Sequence, residues 1–151
     1  MKHYLKRLEE SVKEHWNNPA IGNYGGETFT FEEVATQIAK LHLFFNQINI
    51  QKGDKIALCA KNTARWGMSF LAGNTYEAVM VPILADFHPD SVKALVNHSE
   101  SSILFTDNEL WPKLSIADMP TVKAVISTTD FKLHYSATKE IEEAYNNIEN
   151  I

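Results

Sequence analysis

The sequence of 151 residues has a single cysteine, Cys59. That excludes an internal disulfide and a sulfur-rich zinc site, and a reducing compartment is the plain reading. Cys59 sits in an apolar run, so a buried inert thiol is expected rather than a nucleophile. No stretch of about 18 apolar residues occurs, so no membrane-spanning helix is proposed. The start, Met1-Lys2-His3-Tyr4-Leu5-Lys6-Arg7, is not followed by an apolar core of signal-peptide length. The expected location is the cytoplasm. Lys and Arg form no dense block and the net charge is -5, which gives a nucleic-acid partner no electrostatic support. Six glycines are present, yet neither G-x-x-x-x-G-K-[ST] nor G-x-G-x-x-G occurs. Both loops need glycine so that backbone amides can approach a phosphate closely. Gly22, Gly25, Gly26 and Gly53 read as turn residues, and Gly67 and Gly73 as residues within a helix.

What is present is ordinary globular material: 44% hydrophobic and 22% charged residues, with length enough for one domain over 1–151. Leu5, Leu8, Val12 and Trp16 recur at helical steps, and Asn17-Asn18-Pro19 ends that helix. Residues from Ala20 to Phe29 read as two short strands around a Gly/Asn turn. Thr30 with Glu33 three residues on predicts a reciprocally capped helix whose buried face is Val34, Ile38, Leu41, Phe45 and Ile48. From Lys55 the rhythm becomes βαβα. Strands are expected at 56–60, 79–84, 102–106 and 122–126. Helices are expected from Asn62 or Thr63 to about Tyr76, from Pro89 with Val92, Leu95 and Val96, and over 108–114. The segment from Thr138 carries Ile141, Ala144, Tyr145 and Ile148 on one face and reads as a last amphipathic helix. The fold class is α/β, a mainly parallel sheet flanked by helices with right-handed crossovers, preceded by a helix and a short hairpin.

Few residues carry a chemical signal. Ser127-Thr128-Thr129-Asp130 follows a strand, where α/β proteins often bind ligands, but without glycine or lysine behind it a surface turn is the default. His3, His15, His42, His88, His98 and His134 include no H-x-x-x-H pair, and His88 and His98 bracket one helix as capping residues. No G-x-S-x-G elbow presents a serine. Trp16, Trp66 and Trp111 lie on amphipathic stretches, where core packing is expected. Asp54, Asp86 and Asp107 near strand ends raise a phosphate-accepting receiver domain, but Asp54 precedes its strand and so points to the wrong end of the sheet.

Four segments in order carry a resemblance. Thr30-Phe31-Glu32-Glu33-Val34, Lys52 to Leu58, Asn62-Thr63-Ala64-Arg65-Trp66 and Ala72 to Ile83 resemble the [TS]-[YF]-x-E-[LV], K-G-D-[KR]-[VI]-[AG]-[IL], N-[ST]-x-x-[WF] and A-x-x-x-x-G-A-V-x-V-P-[IL] elements of the adenylate-forming (AMP-binding) acyl-CoA synthetases. Trp16 to Ala20 and Val96 to Glu100 are similar to the long-chain fatty-acyl branch. The resemblance implies the amino-terminal part of an ATP-dependent fatty acid–CoA ligase. In the full-length enzyme a carboxylate attacks Mg-ATP to give an acyl-adenylate, and coenzyme A takes the acyl group. The family's Ser/Thr/Gly-rich loop with lysine, aromatic-x-x-Thr-Glu element, ribose-binding aspartate and carboxy-terminal lysine would lie beyond Ile151. No catalytic, cofactor-binding or metal-binding residue is therefore assigned within 1–151, and the chain alone is expected to be inactive. Ala85-Asp86-Phe87 corresponds loosely to a region that can approach coenzyme A. The family usually has glycine where Glu77 stands, which predicts a left-handed backbone there. The alternative is a stand-alone interaction or scaffold module with the same fold. A part of a larger domain is also expected to self-associate through an apolar face, or to fold its last helix across it.

Overall fold

The computed structural model describes residues 3–149. Helix α1, Tyr4–Glu14, leads into an antiparallel hairpin of β1, Pro19–Gly22, and β2, Thr28–Thr30. Helix α2, Phe31–Gln47, starts at the predicted capping box. Thr30 Oγ1 accepts from the Glu33 N–H at 3.2 Å, and Glu33 Oε2 accepts from the Thr30 N–H at 2.7 Å. The remaining elements are β3 Lys55–Cys59, α3 Ala64–Thr75, β4 Val79–Ile83, α4 Pro89–Ser99, β5 Ile103–Thr106, β6 Ala124–Ser127, β7 Leu133–Ser136 and α5 Lys139–Glu149.

The sheet order is β4-β3-β5-β6-β7. The first four strands are parallel and β7 closes the end antiparallel to β6. Its inner strands β3, β5 and β6 are buried on both faces, which is why they read as unbroken apolar runs. Successive side chains alternate between two cores. Ile56, Leu58, Ile103 and Phe105 join Leu41, Phe44 and Phe45 on one side. Ala57, Cys59 and Leu104 join Val92, Val96 and Val125 on the other.

Several expectations change. The fourth strand begins at Ala124 rather than Val122, because the Val122 N–H is taken by Met119 O in the preceding turn. Strand β7 was not anticipated. Its four residues are only half-buried and give too short a pattern to read. The helix expected over 108–114 is only a 3₁₀ turn, Trp111–Lys113, with Pro112 inside it and Asp107 Oδ1 drawing in the Glu109 and Leu110 N–H groups. Helix α1 ends before Trp16, which lies outside it and is 42% exposed. Leu95 is exposed while Val92 and Val96 face the core, and Phe44 joins the buried face of α2. Helix α5 buries Tyr145 and Ile148 against α2 and β7, so the last helix does fold across an apolar face.

Candidate functional site

In an open α/β sheet the ligand crevice lies at the carboxyl ends of the strands, where the crossovers diverge. Here the chain leaves β3 for β4 on one side and leaves β5 for β6 on the other, so the divergence falls between β3 and β5. The loops at that point are joined to each other. Thr106 Oγ1 donates to Cys59 O at 2.9 Å, the Lys61 N–H donates to Asp107 Oδ2 at 3.2 Å, and Lys61 Nζ donates to Glu109 Oε2 at 2.6 Å. The other Asp107 oxygen already accepts two backbone N–H groups. The bond to Glu109, with the nearby Asp107 and Asp86 charges, holds the Lys61 ammonium above its ordinary range. Asp107 thus acts as a loop clamp, with both carboxylate oxygens accepting backbone N–H groups.

The neighbouring strand end continues the same pattern. Ser127 Oγ donates to Asn108 Oδ1 at 2.8 Å and accepts from the Thr129 N–H at 3.0 Å, and the Thr128 N–H donates to Thr106 O. Ser127 and Thr128 are buried, with only Thr129 and Asp130 at the surface. The four residues are therefore the buried and outer halves of the β6–β7 turn rather than a surface turn throughout. Next to β4 lies a shallow cavity of about 430 Å³ walled by Lys61, Asn62, Trp66, Pro82, Leu84 and Asp86. The loop after β4 forms its outer wall through Leu84, Ala85 and Asp86, with Leu84 and Asp86 exposed.

A larger groove of about 580 Å³ runs between α2, α3 and α5, with Lys40, Arg65, Phe131 and Tyr145 in its wall. Arg65 is the side chain there best shaped to grip a phosphate, and it is already engaged. Its two terminal nitrogens donate to Glu27 at 2.6 and 3.2 Å, and its guanidinium lies 5.2 Å from the Phe29 ring centre and 5.8 Å from that of Phe131. Glu27 is correspondingly held below the usual carboxylate range by the bonds from Arg65.

The remaining titratable groups serve the fold. Burial pushes the Cys59 thiol up to about 11, so it is not a thiolate near neutral pH. His88 Nδ1 accepts from the Asp90 N–H at 3.3 Å and caps α4, whose last turn holds His98. His42 reaches from α2 to α3, with Nε2 donating to Ala72 O at 3.0 Å and lying 2.9 Å from Thr75 Oγ1. The His134 ring stacks on Trp111 with 5.5 Å between centres, and its buried Nε2 has no hydrogen-bond partner. Among the described residues, no group of three or more His, Cys, Asp or Glu side chains converges as a metal site would require, and no helix is long and apolar enough to cross a membrane.

Asp86 and Asp107 were legible as residues near strand ends, but their surroundings were not. Lys61 and Asp107 are 46 positions apart and meet only because β3 pairs with β5. Nothing local to either residue signals the contact.

Comparison with known proteins agrees with this geometry. The chain is 28% identical over 81 residues to fatty acyl-CoA synthetase A of Dictyostelium discoideum, covering 54% of this chain and 12% of that protein. It is 30% identical over 113 residues to the peroxisomal trans-cinnamate:CoA ligase of Petunia hybrida, covering 72% and 19%. The chain thus spans less than a fifth of the length of these relatives. The crystal structure of the anthranilate CoA ligase AuaEII in complex with anthranoyl-AMP superposes with a TM-score of 0.78 at 14% identity, over 97% of this chain and 27% of that one. The family described as "AMP-binding enzyme" matches residues 8–149, and with nearly its whole length matched the chain belongs to that family.

Proposed function

We propose that this chain forms the amino-terminal part of the adenylating domain of an ATP-dependent fatty acid–CoA ligase. The observation that carries the reading is the family match over 8–149, on a sheet that superposes on adenylate-forming ligases. In the complete enzyme a carboxylate displaces pyrophosphate from ATP to form an acyl-adenylate, and the coenzyme A thiol then displaces AMP. Magnesium would accompany the nucleotide. None of these steps is assigned to a side chain of this segment. At the crevice between β3 and β5, Lys61 is bonded to Asp107 and Glu109, and Arg65 is bonded to Glu27. The segment's part is to build the sheet on which the rest of the adenylating domain assembles. A fatty acid of long chain is the favoured substrate, supported by the Trp16 to Ala20 and Val96 to Glu100 motifs and by relatives named long chain acyl-CoA synthetases. The single buried thiol fits a cytoplasmic setting.

The alternative reading is a stand-alone interaction module of the same fold. The packing of Tyr145 and Ile148 of α5 into the core is what a segment of the larger ligase domain is expected to show, so it does not favour the module. The two readings separate in one assay. ATP–pyrophosphate exchange is followed with carboxylates of increasing chain length, using this chain and the protein from the complete natural reading frame. The ligase reading expects exchange only from the longer protein, and no heat of Mg-ATP binding to this chain in calorimetry. A reading frame that ends with this chain, or micromolar ATP affinity here, would overturn it.

A further inference from the structure

Among the described residues, strand β4 is an outer strand of the sheet, hydrogen-bonded only to β3. Its inner side is identified by the Val79 N–H, which donates to Asp54 O at 2.8 Å. In a parallel ladder alternate residues face the same neighbour. With Lys55 opposite Val79 and Cys59 opposite Ile83, Val79, Val81 and Ile83 therefore bond inward, and Met80 and Pro82 turn their backbone groups outward. The only proline of the strand stands at a position whose N–H would otherwise be offered to another strand.

That edge is otherwise well suited to pairing. Val79 is 47% exposed and Leu84, just past the strand, 68%, and β4 contains no charged residue. Exposed, apolar, uncharged edges are templates for strand addition. The simplest partner is a second copy of this chain. A two-fold axis at Val81 would run two β4 strands antiparallel and set Met80 of each copy opposite Pro82 of the other. Residues in such a hydrogen-bonded pair exchange two N–H···O bonds, and proline can make only one of them. Its ring also occupies the space the second backbone must enter. We infer that Pro82 closes this edge of the sheet against pairing with a second copy of the chain, so that β4 stays free of strand partners. The opposite edge is blunted differently, by the shortness of β7 and a register shift between Val125 and Ile126.

The test uses the 151-residue chain and Pro82→Ala, which restores the N–H. Sedimentation and hydrogen exchange are measured over a range of concentrations. The parent chain should show fast, concentration-independent exchange at the Met80 amide. Pro82→Ala should associate with a constant raised on the order of tenfold, with the amides of residues 80 and 82 becoming protected as association proceeds. Adding Val79→Lys in that background should restore the monomer. Pro82→Val serves as a second variant and should behave as Pro82→Ala does. The inference is overturned if Pro82→Ala and Pro82→Val sediment like the parent with Met80 still fast, or if the parent itself gains protection at Met80 with concentration. Failure of both variants to fold would also overturn it, since the proline would then be required within the strand.

Discussion

Three helices end with the same backbone device. At the ends of α2, α3 and α4, the N–H groups of Ile50, Ala78 and Ser101 donate back to Phe45, Gly73 and Val96 O, and those of Asn49, Glu77 and Glu100 to Asn46, Asn74 and Asn97 O. This is the Schellman arrangement, which needs a left-handed residue at its turn and favours glycine there. Here the turn residues are Asn49, Glu77 and Glu100, with φ of 61°, 67° and 54°. Asparagine enters that region more readily than glutamate. Glu77→Gly and Glu100→Gly should therefore each raise stability by roughly 0.5–1 kcal/mol, and Asn49→Gly by less. Glu77 also pairs with Lys52 at 2.9 Å, but both side chains are well exposed and such a pair contributes little. Urea midpoints check the ordering. An unchanged or lower midpoint for Glu77→Gly would show that the glutamate carries no strain. Phe131 has φ of 58° as well, but its ring is buried and its carbonyl accepts from the Tyr145 hydroxyl, so glycine there would remove core as well as strain.

The hairpin and α3 are coupled as elements. The α3 amino terminus is capped twice, by its own Thr63, whose Oγ1 accepts from the Trp66 N–H at 3.2 Å, and by Asn23, whose Oδ1 accepts from the Ala64 N–H at 2.8 Å across 41 positions. Glu27 of the same hairpin holds Arg65, and the Gly67 backbone approaches Ile21 so closely that a Cβ would sit 2.8 Å from its Cδ1. Removing the remote cap should cost about what removing a sequential one does. Asn23→Ala should lower stability by about 1 kcal/mol, and faster exchange should spread to the hairpin amides as well as to the first turn of α3. Exchange confined to α3 would show that the hairpin is held without this bond.

The whole molecule should lose stability on the mildly acid side of neutrality. Burial lowers the pKa of His42, partly offset by its bond to Ala72 O, and burial likewise lowers that of His134 against the raising effect of Asp130. The unfolded chain takes up these protons near pH 6.5, whereas the folded chain takes them up only at lower pH. Unfolding therefore binds protons in that interval, and stability falls as pH falls through it. The contribution is fully present above the unfolded value. Urea midpoints should decline from pH 7.5 to 5.5, and the decline should shrink in His42→Gln. A flat profile, or His42 titrating at its ordinary value by NMR, would rule this out.

Features set by neighbours a few residues away were readable from the chain alone. They include the Thr30–Glu33 capping box and the continuous apolar strands, each of which depends on contacts within about one helical turn or on a simple alternation. The left-handed Glu77 was legible differently, from the glycine usual at that point in the ordered motifs of AMP-binding enzymes. Tertiary structure alone decided the rest. It set the strand order, turned β7 antiparallel, and brought Lys61 against Asp107 across 46 positions. It also gave Arg65 to Glu27 across 38 positions. It left Trp16 and Leu95 exposed although both sit in helical patterns. Local sequence sets the geometry of one segment. Which polar groups meet, and which apolar face is covered, follows from how segments pack.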